Sequence, residues 1–279
     1  MQQPQALTVA LSRTEGGGMQ DLDYAALLPK VKAIALEAGE AVMRVYRSDF
    51  DVFQKTDQSP VTKADLEAEA IITPRLAALT PDVPVVAEEA VTKGDVPDVG
   101  DGAFWLVDPV DGTKEFLHRN DEFTVNIGLI RDRRPVLGVV LAPALDETLY
   151  AGAEGLGASR QKGSGFADPI HVRPAPFDGL TVIYSRRHGD TQKISEFLGD
   201  RRVVERISAG SSLKFCLVAA GQADIYPRFG PTMEWDTAAA HAVLAAAGGR
   251  VDCVAGEPLL YGKDGFRNPE FVAWGIAAR

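Results

Sequence analysis

The chain has 279 residues, of which 46% are hydrophobic and 24% charged, and this composition excludes a disordered, collagen-like or coiled-coil protein. Its 39 acidic and 29 basic side chains give a net charge of −10, which argues against nucleic acid as a partner because such surfaces need clustered Lys and Arg. No apolar stretch approaches the roughly 18 residues of a membrane-spanning helix, and Cys216 and Cys253 form no Cys-x-x-Cys pair. We therefore expect a cytoplasmic protein without disulfides. Whether it attaches peripherally to the inner membrane face, and whether it is a monomer or a homodimer, stays open.

The N-terminal region is predicted to be an extension followed by a long helix. Residues 1–20 include the run Gly16-Gly17-Gly18 and are expected to form a flexible N-terminal extension. From Leu27 to Val45, apolar residues recur every three or four positions, which predicts an amphipathic helix that ends before Asp51.

A second helix and a sheet are predicted next. The helix should begin after Thr62, where Thr62-x-x-Asp65 resembles a capping box, and should kink or end at Pro74. Short runs rich in Val, Ile, Leu and Phe then predict strands at 83–87, 103–107, 123–130, 135–142 and 148–151. This pattern indicates a largely antiparallel sheet with helices packed on it.

In the second half of the chain, predicted strands and helices alternate. The strands are expected at 180–185, 203–207, 224–226 and 250–253, and the helices at 191–198, 212–220 and 236–247. Alternation of this kind predicts an α/β fold of layered α+β type. We expect two subdomains, residues 21–155 and 156–279, that share one cleft.

The segment Asp108-Pro109-Val110-Asp111-Gly112-Thr113 is the most informative part of the sequence. A buried strand ends in two carboxylates three residues apart, which suits a hard divalent cation with its preference for oxygen ligands. Asp-Pro-x-Asp-Gly is equally explained as a tight turn.

Two further acidic positions bear on this choice. Glu88-Glu89 follows a second apolar strand, and Asp236 opens an Ala-rich helix. Taken one at a time, a solvated strand end and a helix N-cap explain them. Three acidic ends in one chain make these separate explanations less plausible when taken together.

These motifs, in this order, resemble the lithium-sensitive, magnesium-dependent phosphatase superfamily that includes inositol monophosphatases and fructose bisphosphatases. Longer stretches resemble its CysQ-type branch, the 3'(2'),5'-bisphosphate nucleotidases, from about residue 21 to the C-terminus. They are 59–65, 111–116, 122–127, 210–216 and 226–232. The resemblance implies the αβαβα sandwich of that superfamily and two or three Mg²⁺ ions.

The resemblance also implies a set of metal ligands and a pair of residues that orient water. Its metal ligands would be Glu88, Asp108, the Val110 carbonyl, Asp111 and Asp236, with Asp108 bridging two ions. Thr113 would accept a hydrogen bond from the attacking water, and Asp65 would fix the hydroxyl of Thr113. Around the scissile phosphate, the resemblance places Glu88, Val110, Asp111, Gly112, Thr113 and Asp236.

A bisphosphate substrate needs a local cationic niche in so acidic a chain. Gly210-Ser211-Ser212 precedes an apolar helix, whose N–H groups form an anion site with Lys214 beside them. N-capping and a surface charge are the simpler explanations of the serines and Lys214. By resemblance, the 5'-phosphate end would be held by Ser185, His188, Ser211, Ser212 and Lys214, and Arg228 would stack on the base.

The expected reaction is hydrolysis of the 3'-phosphate of adenosine 3',5'-bisphosphate to AMP, and of the corresponding 5'-phosphosulfate to adenylyl sulfate. An inositol monophosphatase or another sugar-phosphate phosphatase is the alternative within the superfamily, and a metal-binding regulatory or scaffold protein is the non-enzymatic one. A haloacid-dehalogenase-type phosphatase lacks its nucleophile here because position 109 is Pro.

Overall fold

The computed structural model describes residues 22–48, 52–54, 60–185 and 191–276. Within them the helices are α1 (Tyr24–Tyr46), α2 (Lys63–Leu79), α3 (Glu88–Thr92), α4 (Thr113–Leu117), α5 (Thr191–Leu198), α6 (Leu213–Ala219) and α7 (Ala238–Ala246). The strands are β1 (Val52–Gln54), β2 (Pro60–Thr62), β3 (Val85–Ala87), β4 (Phe104–Asp111), β5 (Thr124–Arg131), β6 (Arg134–Ala142), β7 (Thr148–Ala153), β8 (Gly157–Lys162), β9 (Ala167–Ile170), β10 (Leu180–Ser185), β11 (Val203–Ala209), β12 (Ile225–Arg228), β13 (Arg250–Cys253) and β14 (Phe271–Trp274).

Two main sheets and three helical layers build the molecule. The larger sheet has the order β3-β4-β5-β6-β7-β8-β9, and all its neighbours are antiparallel except β3 and β4. The smaller sheet has the order β11-β10-β12-β14-β13. Helices α1 and α2 cover one face of the larger sheet, α6 and α7 lie between the sheets, and α5 packs on the smaller one. This is the αβαβα sandwich that the sequence predicted.

The central strands are buried on both faces, and their glycines set the position of α7. In β5, Val125 and Ile127 face the core under α1 and α2, whereas Ile130 faces the other core. A Cβ at Gly138 would lie 2.0 Å from the carbonyl oxygen of Ala239. Only glycine allows the Ala-rich helix to approach the sheet this closely, and this contact fixes the helix end that leads to the cleft.

The predicted helices and strands are confirmed, and of the two outcomes predicted at Pro74, a kink or an end of the helix, the end is wrong. Helix α2 continues through that proline to Leu79. Leu76, two residues after Pro74, is completely buried. Its burial is worth about 2 kcal/mol, which offsets much of the roughly 3 kcal/mol that an internal proline costs.

Other predictions meet the structure only in part. Residues 1–20 lie outside the described residues. Strands β8 and β9 extend the larger sheet to Ile170, past the expected subdomain boundary at 155/156, and that division stays a prediction. In the described part of the chain no helix has the length and apolarity needed to cross a membrane.

Candidate active site

The parallel pairing of β3 and β4 brings the first two acids together. Val85 pairs with Trp105 and Ala87 with Val107, so Glu88 and Asp108 leave the same edge of the sheet on neighbouring strands. Glu88 then lies in the first turn of α3, where a carboxylate also interacts favourably with the helix dipole.

A bulge in β4 turns the next acid to the same side. Asp108 pairs with Asn126, and Asp111 pairs with Thr124. The two partners are three residues apart on β4 but only two apart on β5, so β4 contains one extra residue. Residues three apart on a regular strand point to opposite faces, and one extra residue restores the same face. Pro109, which has no N–H for the ladder, lies inside this bulge. The tight turn predicted over this segment is wrong, because residues 108–111 belong to β4 and the chain turns only at Gly112, which has φ 89°.

Asp236 reaches the same place from the turn before α7. The helix begins at Ala238, and Asp236 Oδ2 accepts a hydrogen bond from the backbone N–H of Met233 at 2.9 Å. The N-cap explanation is therefore wrong. Glu234, which is completely buried, supports this turn by accepting from the N–H groups of Gly262 and Lys263 at 2.8 and 2.9 Å.

The electrostatics show that these acids surround one region. Burial, followed by the charges of Glu88, Asp111 and Asp236, raises the pKa of Asp108 well above its ordinary value. Burial, Asp111 and Glu88 likewise raise the pKa of Asp236. Carboxylates that disfavour each other's ionisation in this way are stabilised by a cation placed among them.

The donor set fits magnesium. Among the residues that the structure describes, no three His, Cys, Asp or Glu side chains already surround one point as ligands. Mg²⁺ keeps several waters and is held by one or two carboxylates together with substrate phosphates. Carboxylates spread around a cleft therefore suit it better than a closed protein cage.

Asp111 is the acid whose orientation is most completely fixed. Its Oδ2 accepts from the Ser211 hydroxyl at 2.6 Å, the Ser212 N–H at 2.6 Å and the Asn126 amide at 3.4 Å. Thr124 in turn contacts both serine hydroxyls and the side-chain oxygen of Asn126. Since all three bonds to Asp111 use Oδ2, Oδ1 is the oxygen left to bind an ion.

This network corrects the expected anion site at Gly210-Ser211-Ser212. The Ser212 N–H is bonded to Asp111, and the Gly210 N–H donates to Glu122 Oε2 at 2.8 Å. Two carboxylates of the protein thus occupy the N–H groups that were expected to bind a phosphate. Ser212 is the N-cap residue of α6, as the simpler explanation has it, but its side chain makes no capping hydrogen bond.

Lys214 is a buried cation rather than a surface charge. Its ammonium donates to the carbonyls of Ala209 and Ser211 and lies 5.4 Å from the centre of the Tyr226 ring. Burial lowers its pKa to about 8, although the charge of Asp111 opposes this shift. Lys214 therefore keeps its positive charge at neutral pH.

The water-orienting pair is not joined in the structure. The Thr113 hydroxyl donates to the Val110 carbonyl at 3.4 Å, and Asp65 Oδ2 accepts from the N–H and hydroxyl of Thr62 at 2.8 and 2.7 Å. The capping box predicted at Thr62 and Asp65 is thus confirmed. Burial is the main cause that raises the pKa of Asp65 to about 7.

The remaining predicted residues lie around one cavity of about 230 Å³. Its walls include Glu88, Asp111, Gly112, Thr113, Ser185, Ser211, Ser212, Lys214, Arg228 and Asp236. Arg228 donates to the carbonyls of Gly230 and Pro231. Asp65, Asp108 and Val110 are buried and do not line the cavity. His188 lies outside the described residues.

Sequence reasoning missed the residues that hold the acids in place. Thr124, Asn126, Glu122 and Glu234 contact them or the loops that carry them. Thr124 and Asn126 stand opposite Asp111 and Asp108 in the strand register. Pairing the two predicted strands β4 and β5 in the correct register would have identified Thr124 and Asn126.

The layered fold is that of phosphatases of the inositol monophosphatase type, and its cleft is acidic. A sequence profile described as the inositol monophosphatase family matches residues 23–276, and the chain belongs to that family. Its similarity to 3'(2'),5'-bisphosphate nucleotidase CysQ of Escherichia coli K12 is 48% identity over 248 residues, covering 88% of this chain and 98% of the relative. The corresponding protein of Haemophilus influenzae is 36% identical, with coverage of 89% and 93%.

Solved structures show the same relationship. The crystal structure of CysQ from Bacteroides thetaiotaomicron, a bacterial member of the inositol monophosphatase family, is 38% identical with a TM-score of 0.77 and covers 91% of this chain and 99% of that one. Inositol monophosphatase from Anabaena is 26% identical with a TM-score of 0.71, and the coverage is 91% and 92%.

Proposed function

We propose that this chain is a magnesium-dependent 3'(2'),5'-bisphosphate nucleotidase that hydrolyses the 3'-phosphate of adenosine 3',5'-bisphosphate to give AMP. The corresponding 5'-phosphosulfate would be a second substrate, giving adenylyl sulfate. Relatives that carry the name 3'(2'),5'-bisphosphate nucleotidase CysQ support this activity, since they are up to 48% identical over nearly their whole length.

The observation that carries the proposal is that acidic and cationic side chains line the same cavity. Glu88, Asp111 and Asp236 line it together with Lys214 and Arg228, and we propose that the acids face one end of the substrate, the acidic end, and the cations face the other, the cationic end. A substrate with two anionic groups matches this division, because one group needs cations bound by the acids and the other finds cationic side chains. A monophosphorylated polyol needs only the acidic end.

At the acidic end, Glu88, Asp108, Asp111, Asp236 and the Val110 carbonyl would hold two or three Mg²⁺ ions. When bound, these ions would neutralise the negative charge of the phosphate and activate water. Asp111 is suited to this role because donors on Oδ2 fix its side chain before any ion arrives. A preorganised ligand avoids reorganisation when the substrate binds.

Thr113 is proposed to orient the attacking water. Its present bond to the Val110 carbonyl is 3.4 Å long, at the weak end of the hydrogen-bond range, so the hydroxyl can turn toward the cleft. Asp65 would then accept a hydrogen bond from the Thr113 hydroxyl. Both of its bonds from Thr62 go to Oδ2, which leaves Oδ1 for this second donor.

At the cationic end, Lys214 and Arg228 would hold the 5'-substituent and the base. Ser185 lies on the same wall of the cavity. Arg228 is held in place by two backbone carbonyls, which keeps its planar guanidinium in position to stack on adenine. His188 would contribute at this end as well. Lithium inhibition and a cytoplasmic location belong to the same proposal.

The test is a comparison of kcat/KM for adenosine 3',5'-bisphosphate and inositol 1-phosphate in the presence of magnesium. The bisphosphate should be strongly preferred, and Lys214→Ala should raise KM for it at least tenfold while changing inositol phosphate little. An exposed-site variant such as Lys162→Ala serves as the matched control. Equal losses for both substrates would contradict the substrate assignment, and magnesium binding without phosphate release would support the scaffold alternative.

A further inference from the structure

A second and larger cavity lies along α7 from His241 onward. Its volume is about 850 Å³, within the range of about 300–1,000 Å³ that is usual for small-molecule sites. Ala242, Ala245 and Ala246 of α7 line it, whereas the residues just before the helix face the active-site cavity. Thr237 lines the active-site cavity and His241 lines the second one, so the two walls are about one helical turn, roughly 6 Å, apart along α7.

A buried histidine presents an unsatisfied ring nitrogen to this cavity. His241 is only 7% exposed and belongs to the cavity wall. Its Nδ1 is 3.0 Å from the Tyr261 hydroxyl. Within the described residues, Nε2 has no hydrogen-bond partner. This nitrogen is not completely buried, so it is accessible from the cavity.

The donors and acceptors behind His241 determine its tautomer. The Thr237 hydroxyl donates to the Glu234 carbonyl at 3.1 Å and accepts from Tyr261 at 3.1 Å and from the Asn268 amide at 3.0 Å. The single proton of Tyr261 is thus used toward Thr237, and His241 must donate from Nδ1. Its Nε2 is consequently an acceptor that faces the cavity. Burial, Arg134 and Lys263 together lower the pKa of His241 to about 3, which keeps the ring neutral.

The charged side chains around the cavity can accommodate a ligand with one negatively charged group. Arg250 is paired with Asp252 at 2.8 Å, and Arg131 lies 3.9 Å from Asp132. In the described part of the chain, the exposed guanidinium of Arg134 has no ion-pair partner. Glu154, Asp132 and Asp252 also line the cavity, and they would repel a second negative charge.

We propose that this cavity is a second binding site, which takes a small organic monoanion that carries an N–H or O–H donor on an apolar body. The anionic group binds Arg134, the donor reaches His241 Nε2, and the body lies against the alanines of α7. The phosphorylated substrates proposed for the active site carry too many charges for this cavity. The site is independent of the proposed catalytic activity.

The experiment uses three probes of the same shape. Indole-3-carboxylate supplies the charge and the N–H, benzothiophene-3-carboxylate lacks the N–H, and indole-3-carboxamide lacks the charge. Binding to the full chain is measured by isothermal titration calorimetry with and without AMP. We expect saturable binding of indole-3-carboxylate that AMP leaves unchanged, and at least fivefold weaker binding of the other two probes.

Variants place the binding in this cavity. Arg134→Ala should weaken indole-3-carboxylate binding about tenfold. Ala245→Trp, at an exposed helix position, should cover the alanine face on which the probe is expected to lie and abolish binding. Arg75→Ala, an exposed arginine on α2 paired with Glu37, should bind as wild type does. All three variants should retain phosphatase activity, which confirms their folding.

Several results would overturn the proposal. They are the absence of saturation below about 10 mM, displacement of the probe by AMP, unchanged affinity in Arg134→Ala, and equal affinity for the probe without the N–H. Should Ala245→Trp fail to fold, Arg134→Ala and the three probes still decide the question.

Discussion

Asp65→Asn should make the metal-free protein more stable and at the same time less active. Asp65 is a buried carboxylate whose pKa is raised from 3.8 to about 7, chiefly by burial and further by Glu89 and Glu88. An asparagine oxygen still accepts the two bonds from Thr62, so the capping box at the start of α2 is preserved. The substitution therefore removes a charge and leaves the local structure intact.

The sign and the size of the effect follow from proton linkage. Between pH 3.8 and about 7, the folded protein keeps a proton on Asp65 that the unfolded chain has lost, so stability falls as the pH rises through this window. One pKa unit corresponds to 1.36 kcal/mol, and the complete penalty above pH 7 is thus about 4 kcal/mol. Asp65→Asn should recover about 4 kcal/mol at pH 8, about 2 kcal/mol at pH 5, and little near pH 3.5.

The assay is urea denaturation in EDTA at several pH values, followed by circular dichroism. Asp95→Asn is the matched control, because Asp95 is an exposed carboxylate in the loop after α3. With magnesium present, the gain should shrink, since cations near the acidic cluster favour ionised carboxylates. The proposed role beside Thr113 predicts a fall in kcat of about a hundredfold. A variant that is less stable than wild type at pH 8 in EDTA would refute the electrostatic reasoning.

Three further predictions concern residues in or around the active-site cavity. KM for the bisphosphate should rise as the pH passes about 8, where Lys214 loses its charge. Lys214→Arg should make KM less dependent on pH, because arginine stays protonated. The same pH dependence of KM in both proteins would count against the role of Lys214. Asp108→Asn should lower kcat about a thousandfold without lowering the melting temperature in EDTA, and substantial residual turnover would contradict a bridging role. Glu234→Gln breaks an ion pair of 2.6 Å between the buried Glu234 and Lys263, and it should lower the free energy of unfolding by about 3 kcal/mol. It should also weaken magnesium binding, measured by calorimetric titration. Unchanged values would show that the turn before α7 does not need this support.

The layered fold and the acidic residues could be predicted from the sequence because both depend on local patterns. Apolar spacings of three and four identified α1, and continuous apolar runs identified the buried strands. Acids that follow directly after such runs, as Glu88 and Asp108 do, are placed at a sheet edge by chain direction alone. The capping box at Thr62 is likewise a matter of neighbouring residues.

The tertiary structure decided which of these groups meet and which hydrogen bonds remain available. Ser212 lies 101 residues from Asp111, yet its N–H is bonded to that carboxylate, and no spacing in the sequence encodes such a contact. The sequence correctly placed N–H groups at 210–212, but their partners come from β4 and the loop before β5, which only the packing of distant segments brings near. Local propensities depend on a few adjacent residues, whereas the satisfaction of buried polar groups depends on the whole fold.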